Sequence, residues 1–76
     1  MIQIHTHLQQ IRAAYDYYQK YVAERLNVSQ SAYARWENGS TQITFVSLVN
    51  IAEKVYNMDI VTFILWPKKV IITEVE

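Results

Sequence analysis

Gln19 to Gly39 constrains this chain more than any other stretch. Val22, Ala23 and Leu26 recur at i, i+1 and i+4, which gathers them on one face of a short helix predicted over 19–26. Asn27 follows, a residue that tolerates the left-handed backbone a helix C-terminus needs. Ser29 then offers a hydroxyl that can accept from the free N–H groups of a new helical turn. The second helix, predicted over 30–38, is apolar at Tyr33 and Trp36 and polar at Gln30, Ser31 and Arg35. Gly39 ends it, as suits the asymmetry of helix ends. Two short helices therefore meet across a turn of three or four residues, with the second one capped.

The rest of the chain reads as helical support for that corner. Thr6 can cap a first helix over 6–15, with Leu8, Ile11 and Tyr15 at i, i+3 and i+7. Thr44 can cap a helix over 45–56, whose apolar stripe is Leu48, Ile51, Ala52 and Val55. Asn57 breaks it, and Asp59 caps a short last helix over 60–65 that Pro67 prevents from continuing. Ahead of the first helix, Ile2 and Ile4 alternate with polar residues, the period of a strand. The tail over 69–75 is rich in β-branched residues (Val70, Ile71, Ile72, Val75) and also reads as a strand. A lone strand cannot satisfy its backbone, so it needs the Ile2–Ile4 segment or the tail of a second copy; the latter, a homodimer through Val70 to Val75, is favoured. The expected fold is all-α, a compact five-helix bundle with a C-terminal β-strand extension, in a single domain over 1–76.

Composition bounds the function. Seventy-six residues, 51% of them apolar, can build one small core. There is no cysteine, so neither disulfides nor thiolate metal sites arise; an intracellular, cytoplasmic setting is the expectation. No apolar run approaches the length of a membrane span, and no membrane partner is expected. His5 and His7 form a pair with no third ligand type nearby, which is weak ground for a metal, and none is expected. No glycine-rich loop, activated nucleophile or pair of inward carboxylates is legible, so no catalytic residue or cofactor is assigned. Seven basic side chains balance seven acidic ones. That neutrality counts against nucleic acid, because phosphate neutralisation supplies most non-specific affinity. Within 19–40, however, Lys20, Arg25 and Arg35 stand against Glu24 and Glu37 only, while Glu74 and Glu76 sit in the tail.

Gln19, Ala23, Leu26, Val28-Ser29, Tyr33 and the run Trp36-Glu37-Asn38-Gly39 together resemble the Cro/phage-repressor-type helix-turn-helix, a large bacterial and phage DNA-binding family. The resemblance covers roughly residues 6 to 64. It departs at Asp16, where the family commonly has glycine, and at Tyr18, which cannot cap the helix that follows. It implies a lambda-repressor-like bundle whose second motif helix lies in the major groove of double-stranded DNA. Carried over by position, it makes Gln30, Ser31, Ala34 and Arg35 the base-reading candidates. Gln can pair with adenine, Arg with guanine, Ser with either, and Ala can touch a thymine methyl. Gln19, Lys20, Asn38, Ser40 and Thr41 become phosphate candidates, with Tyr21 close by. The resemblance also implies an ion pair between Arg12 and Glu37, tying the first helix to the third. The function it implies is a sequence-specific transcriptional regulator acting as a dimer on a two-fold operator. With no room for a ligand-sensing domain, concentration, partner binding or degradation would regulate it. An antitoxin-like or co-regulator module, whose main partner is another protein, keeps the same fold and suits the neutral charge and apolar tail.

Overall fold

The structure is a computed structural model that describes residues 3–68. Among these residues it is all-α: α1 is Ile4–Ala14, α2 Gln19–Leu26, α3 Gln30–Asn38, α4 Phe45–Asn50 and α5 Ile60–Leu65. No strand occurs among the described residues. The strand expected over 69–75, and with it the pairing of Val70 to Val75, lies outside them.

Two boundaries differ from the sequence expectation. The first helix begins at Ile4 rather than after Thr6, and Gln3, its N-cap, makes no side-chain capping bond. Ile4 packs against the core, completing with Leu8 and Ile11 a stripe at i, i+4 and i+7. Burial of Ile4 on a helical face thus overrides the strand reading at that position and extends the helix past the better cap, while Ile2 lies outside the described residues. At the other end Tyr15 is the C-cap and is partly exposed, its ring resting edge-on against Tyr56 with centroids 5.0 Å apart.

The second difference is in the fourth helix. The stretch expected as one α-helix over 45–56 is α-helical only to Asn50 and then widens to π-helical winding over Ile51–Val55. Beyond it Asn57 turns at φ 54°, and Met58 N–H reaches back to the Ala52 carbonyl at 2.9 Å, capping the end of the segment. The π segment packs against both α2 and α5, and Ile51, Ala52, Val55 and Tyr56 are all buried there. Local pattern does not distinguish this winding from α, because the same apolar stripe serves both.

The core collects one or more side chains from every element: Leu8 and Ile11, Val22 and Ala23, Tyr33, Leu48, the π-segment residues, and Phe63. His7 joins it from α1. Its Nε2 lies 2.6 Å from the Phe63 carbonyl, and its ring meets Phe63 edge-on at 5.3 Å, so α1 and α5 are tied by a polar and an aromatic contact.

Candidate nucleic-acid interface

The corner between α2 and α3 is set by backbone chemistry. α2 ends in Asn27 at φ 58°, the left-handed conformation. Asn27 N–H bonds to the Glu24 carbonyl and Val28 N–H to the Ala23 carbonyl, at 3.1 and 3.0 Å, the paired bonds of a Schellman motif. The same pair of bonds closes α1 around Asp16, at φ 60°, from Asp16 to Ala13 and from Tyr17 to Arg12. Asp16 therefore takes up the left-handed position that glycine fills in the resemblance, helped by its short polar side chain. Ser29 restarts the chain in extended geometry, and its hydroxyl accepts from Ala32 N–H at 3.1 Å. Gly39 ends α3 at φ 80°, where any Cβ is strained. Asn38 takes over part of the termination, its side-chain oxygen accepting from Ser40 N–H at 2.8 Å.

Beneath this corner lies a buried polar cluster. Glu37 is almost wholly buried, its side chain 3% exposed. Arg12 donates to it through Nε at 2.6 Å and Nη2 at 3.0 Å, a two-point grip on both carboxylate oxygens. Gln19 Nε2 donates to the same carboxylate at 3.0 Å, and Arg12 Nη1 reaches the Tyr17 carbonyl at 2.9 Å. Gln9 Nε2 donates to the Glu37 backbone carbonyl. Burial alone would raise the Glu37 carboxyl; the hydrogen bonds from Arg12 and Gln19 outweigh it and hold the group below its ordinary value. The bond to Glu37 in turn raises Arg12 against the opposing effect of burial. Burial first, and the neighbouring carboxylate second, push the Tyr33 phenol up. Its hydroxyl feels that carboxylate without completing a hydrogen bond of full geometry. One carboxylate therefore holds α1, the start of α2 and α3 in a single arrangement.

Outside, α3 presents a polar arc. Gln30, Ser31, Arg35 and Asn38 are exposed and Ala34 is half-buried. At 3.6 residues per turn, positions 30, 31, 34, 35 and 38 share an arc of about 140°, opposite Tyr33 and Trp36. Lys20, Ser40 and Thr41 are exposed at the two ends of the motif. Tyr18, the N-cap of α2, makes no capping bond and is 81% exposed. Gln19 is half-buried and commits an amide hydrogen to Glu37, so its position faces both inward and outward. Tyr21 is partly exposed and packs on Tyr17 at 4.6 Å.

Two contacts around the motif were not legible in the sequence. Gln9 sits on the exposed side of α1, and no periodicity marks it as a tie to α3. Arg25 counts as basic charge of the motif, yet its Nη2 donates to the Lys54 carbonyl at 3.0 Å, towards the π segment. The charge count of the motif alone could not separate it from Lys20 and Arg35. His5 and His7 stand apart in role, His7 being bound to Phe63 and His5 lying beside Gly39. Among the described residues no group of three or more His, Asp or Glu side chains gathers as a metal site, and no helix is long and apolar enough to cross a membrane.

A short capped helix with a polar outer arc, buttressed by a second helix through a tight turn, defines a DNA-binding class of small α domain. The helix-turn-helix family model matches residues 8–55, and the chain belongs to that family, in its Cro/repressor-type branch. It is a DNA-binding domain of transcription regulation whose partner is double-stranded DNA. No curated protein and no solved structure matches the chain.

Proposed function

We propose that this protein is a sequence-specific regulator that reads the major groove with α3, two copies binding an inverted repeat. The observation that carries the reading is the outer arc of α3. Gln30, Ser31, Ala34 and Arg35 lie on it, starting in the first turn after the Ser29 cap. That is where a recognition helix meets base edges. Gln and Arg supply the bidentate donors for adenine and guanine, and Ser and the Ala methyl suit what remains. Lys20, Asn38, Ser40, Thr41 and the N-terminal turn of α2 at Gln19 contact phosphates on either side and fix the register.

The neutral chain limits the electrostatic share. Arg12 is committed to Glu37 and Arg25 to a backbone carbonyl, so Lys20 and Arg35 are the cations that the outer surface of the motif offers. Arg35 is assigned to a base edge, so one phosphate-facing cation per copy, Lys20, and two per dimer give a slope of log K against log salt near −1.8, or about a tenfold loss between roughly 50 and 200 mM. Two copies place their half-sites about one helical turn, ~34 Å, apart.

Selection from a random-duplex pool at both salt concentrations tests this. Recovery of an inverted repeat, with Gln30→Ala and Arg35→Ala altering base preference and Gln19→Ala weakening all sequences alike, is the expected result. No enrichment at either salt, or uniform loss from all three substitutions, defeats it.

A further inference from the structure

We propose that the cleft between the first turn of α1 and the loop joining α3 to α4 is a further subsite for a DNA backbone phosphate, with His5 as its cation when protonated. The inference rests on the reading of α3 given above. The cleft holds about 420 Å³; Trp36 and two isoleucines form its apolar side, and His5, Thr41 and Gln42 its polar side. Gly39 closes the inner end, and a Cβ placed there would stand 3.5 Å from the imidazole, so the ring lies against the backbone where α3 stops. Thr41 belongs both to this cleft and to the phosphate-contacting end of the motif. Its N–H donates to the Arg35 carbonyl at 3.3 Å, which holds the start of the loop on α3.

Charge is what this end of the motif lacks. Lys20 serves the start of α2, but from Asn38 to Asn50 the chain carries no lysine or arginine. Thr41 and Gln42 offer neutral donors, which position a phosphate and release no counterion. His5 is the one titratable side chain lining the cleft. Neither the loop over 40–43 nor α4 carries an ionisable group. On α3, Glu37 is gripped by Arg12, and Arg35 lies on the outer arc. On α1, His7 turns to the Phe63 carbonyl instead. No carboxylate lines the cleft to compete with a phosphate for a protonated His5. A cation here also stands beside the C-terminal, negative end of the α3 dipole. Histidine changes charge between about pH 5 and 8, so the subsite strengthens as pH falls.

The consequence is a salt dependence that changes with pH. Protonation raises the phosphate-facing cations from one to two per copy, Lys20 alone becoming Lys20 with His5. For a dimer the slope of log K against log salt then steepens from near −1.8 to near −3.6. Between roughly 50 and 200 mM the loss of affinity grows from about tenfold to about a hundredfold.

Binding of the full chain to a selected duplex, titrated with potassium chloride at about pH 8 and about pH 5.5, tests the proposal in the parent, His5→Gln and His5→Lys. Circular dichroism at both pH values checks that each variant folds. Glu37, held below its ordinary value, stays ionised at both. The expected result is a steep slope at the lower pH only in the parent, a shallow slope at both in His5→Gln, and a steep slope at both in His5→Lys. The NMR signals of the parent's His5 ring are expected to move on adding duplex at the lower pH, and not on adding inorganic phosphate alone. Equal slopes at the two pH values in the parent overturn the proposal, and so does a pH effect that survives His5→Gln, since the proton then belongs to another group such as His7. Either result leaves recognition through α3 standing. A ring response to inorganic phosphate as large as that to duplex makes the cleft a site for free anions, and this too overturns the proposal. If no duplex is bound at either pH, the reading of α3 falls and the subsite falls with it.

Discussion

Replacing Arg12 by methionine tests the buried cluster most directly. The substitution keeps much of the aliphatic stem and removes the donors at Nε, Nη1 and Nη2. Glu37, 3% exposed, is left with the single side-chain donor Gln19, and the Tyr17 carbonyl loses its partner. Breaking one side of a buried ion pair typically costs about 3–5 kcal/mol. Arg12 itself is 22% exposed and Gln19 remains, so the lower end, about 3 kcal/mol, is the expected loss at neutral pH. A chain of this size holds roughly 4–11 kcal/mol in total, so the loss is a large fraction of its stability. Urea denaturation at pH 7 and pH 4 is the assay. In the parent the Glu37 carboxyl lies below its ordinary 4.5, so its contribution is present above that pH and fades as pH falls through the lower, folded value. In the variant burial is no longer outweighed, and the folded pKa moves above the unfolded one. The variant then loses stability as pH rises through about 4.5 and upward, so its deficit against the parent is largest at pH 7 and shrinks at pH 4. A variant as stable as the parent at pH 7, or a deficit equal at both pH values, would refute the reasoning. Restoring apolar character on the other side, in Arg12→Met with Glu37→Leu, is expected to recover part of the loss, because no unpaired charge then remains buried.

Other expectations follow from single contacts. Ser29→Ala removes the acceptor for Ala32 N–H and is expected to cost about 1 kcal/mol in denaturant titrations; a loss near zero would show that the cap is not engaged. Gly39→Ala places a Cβ 3.5 Å from His5, an ordinary contact, so its cost of about 1–2 kcal/mol comes from the left-handed backbone. Gly39→Asn should cost less than Gly39→Ala by the same measurement, because asparagine tolerates that region. Leu8→Ala opens a cavity at a fully buried site and should cost about 2–5 kcal/mol, shown as a lower midpoint at unchanged m-value. Asp59 accepts from Thr62 N–H at 2.7 Å, and this bond lowers its carboxyl. Its stabilisation is present above the ordinary value of 3.8 and lost as pH falls through the folded one, which a carboxyl NMR titration reads as a midpoint below 3.8.

Much of the helical order was legible because it is encoded locally. Ser29, Thr44 and Asp59 cap helices through hydroxyl or carboxyl oxygens, and each accepts from an N–H three residues on. Asn27 and Gly39 take the left-handed conformations their side chains permit. Those choices depend on chemistry within one turn, so a linear reading reaches them. The polar arc of α3 follows from 3.6-residue periodicity and was equally accessible.

What depended on distant groups was not accessible from pattern. The early start of α1 goes with the packing of Ile4 on the core, and the π winding of Ile51–Val55 falls where α2 and α5 both pack on the segment. Gln9, Gln19 and Arg12 converge on Glu37 from sequence separations of 28, 18 and 25 residues. Family resemblance implied the Arg12 and Glu37 pair, but nothing local marked Gln9 or turned Gln19 inward. By itself the sequence determined the caps at Ser29, Thr44 and Asp59, the left-handed stops at Asn27 and Gly39, and which face of α3 is polar, because capping and periodicity act over a few residues. Only the tertiary structure decided which polar groups share the buried carboxylate, which cations stay outside, and which apolar side chains are left facing water. Those outcomes are set by how whole helices pack.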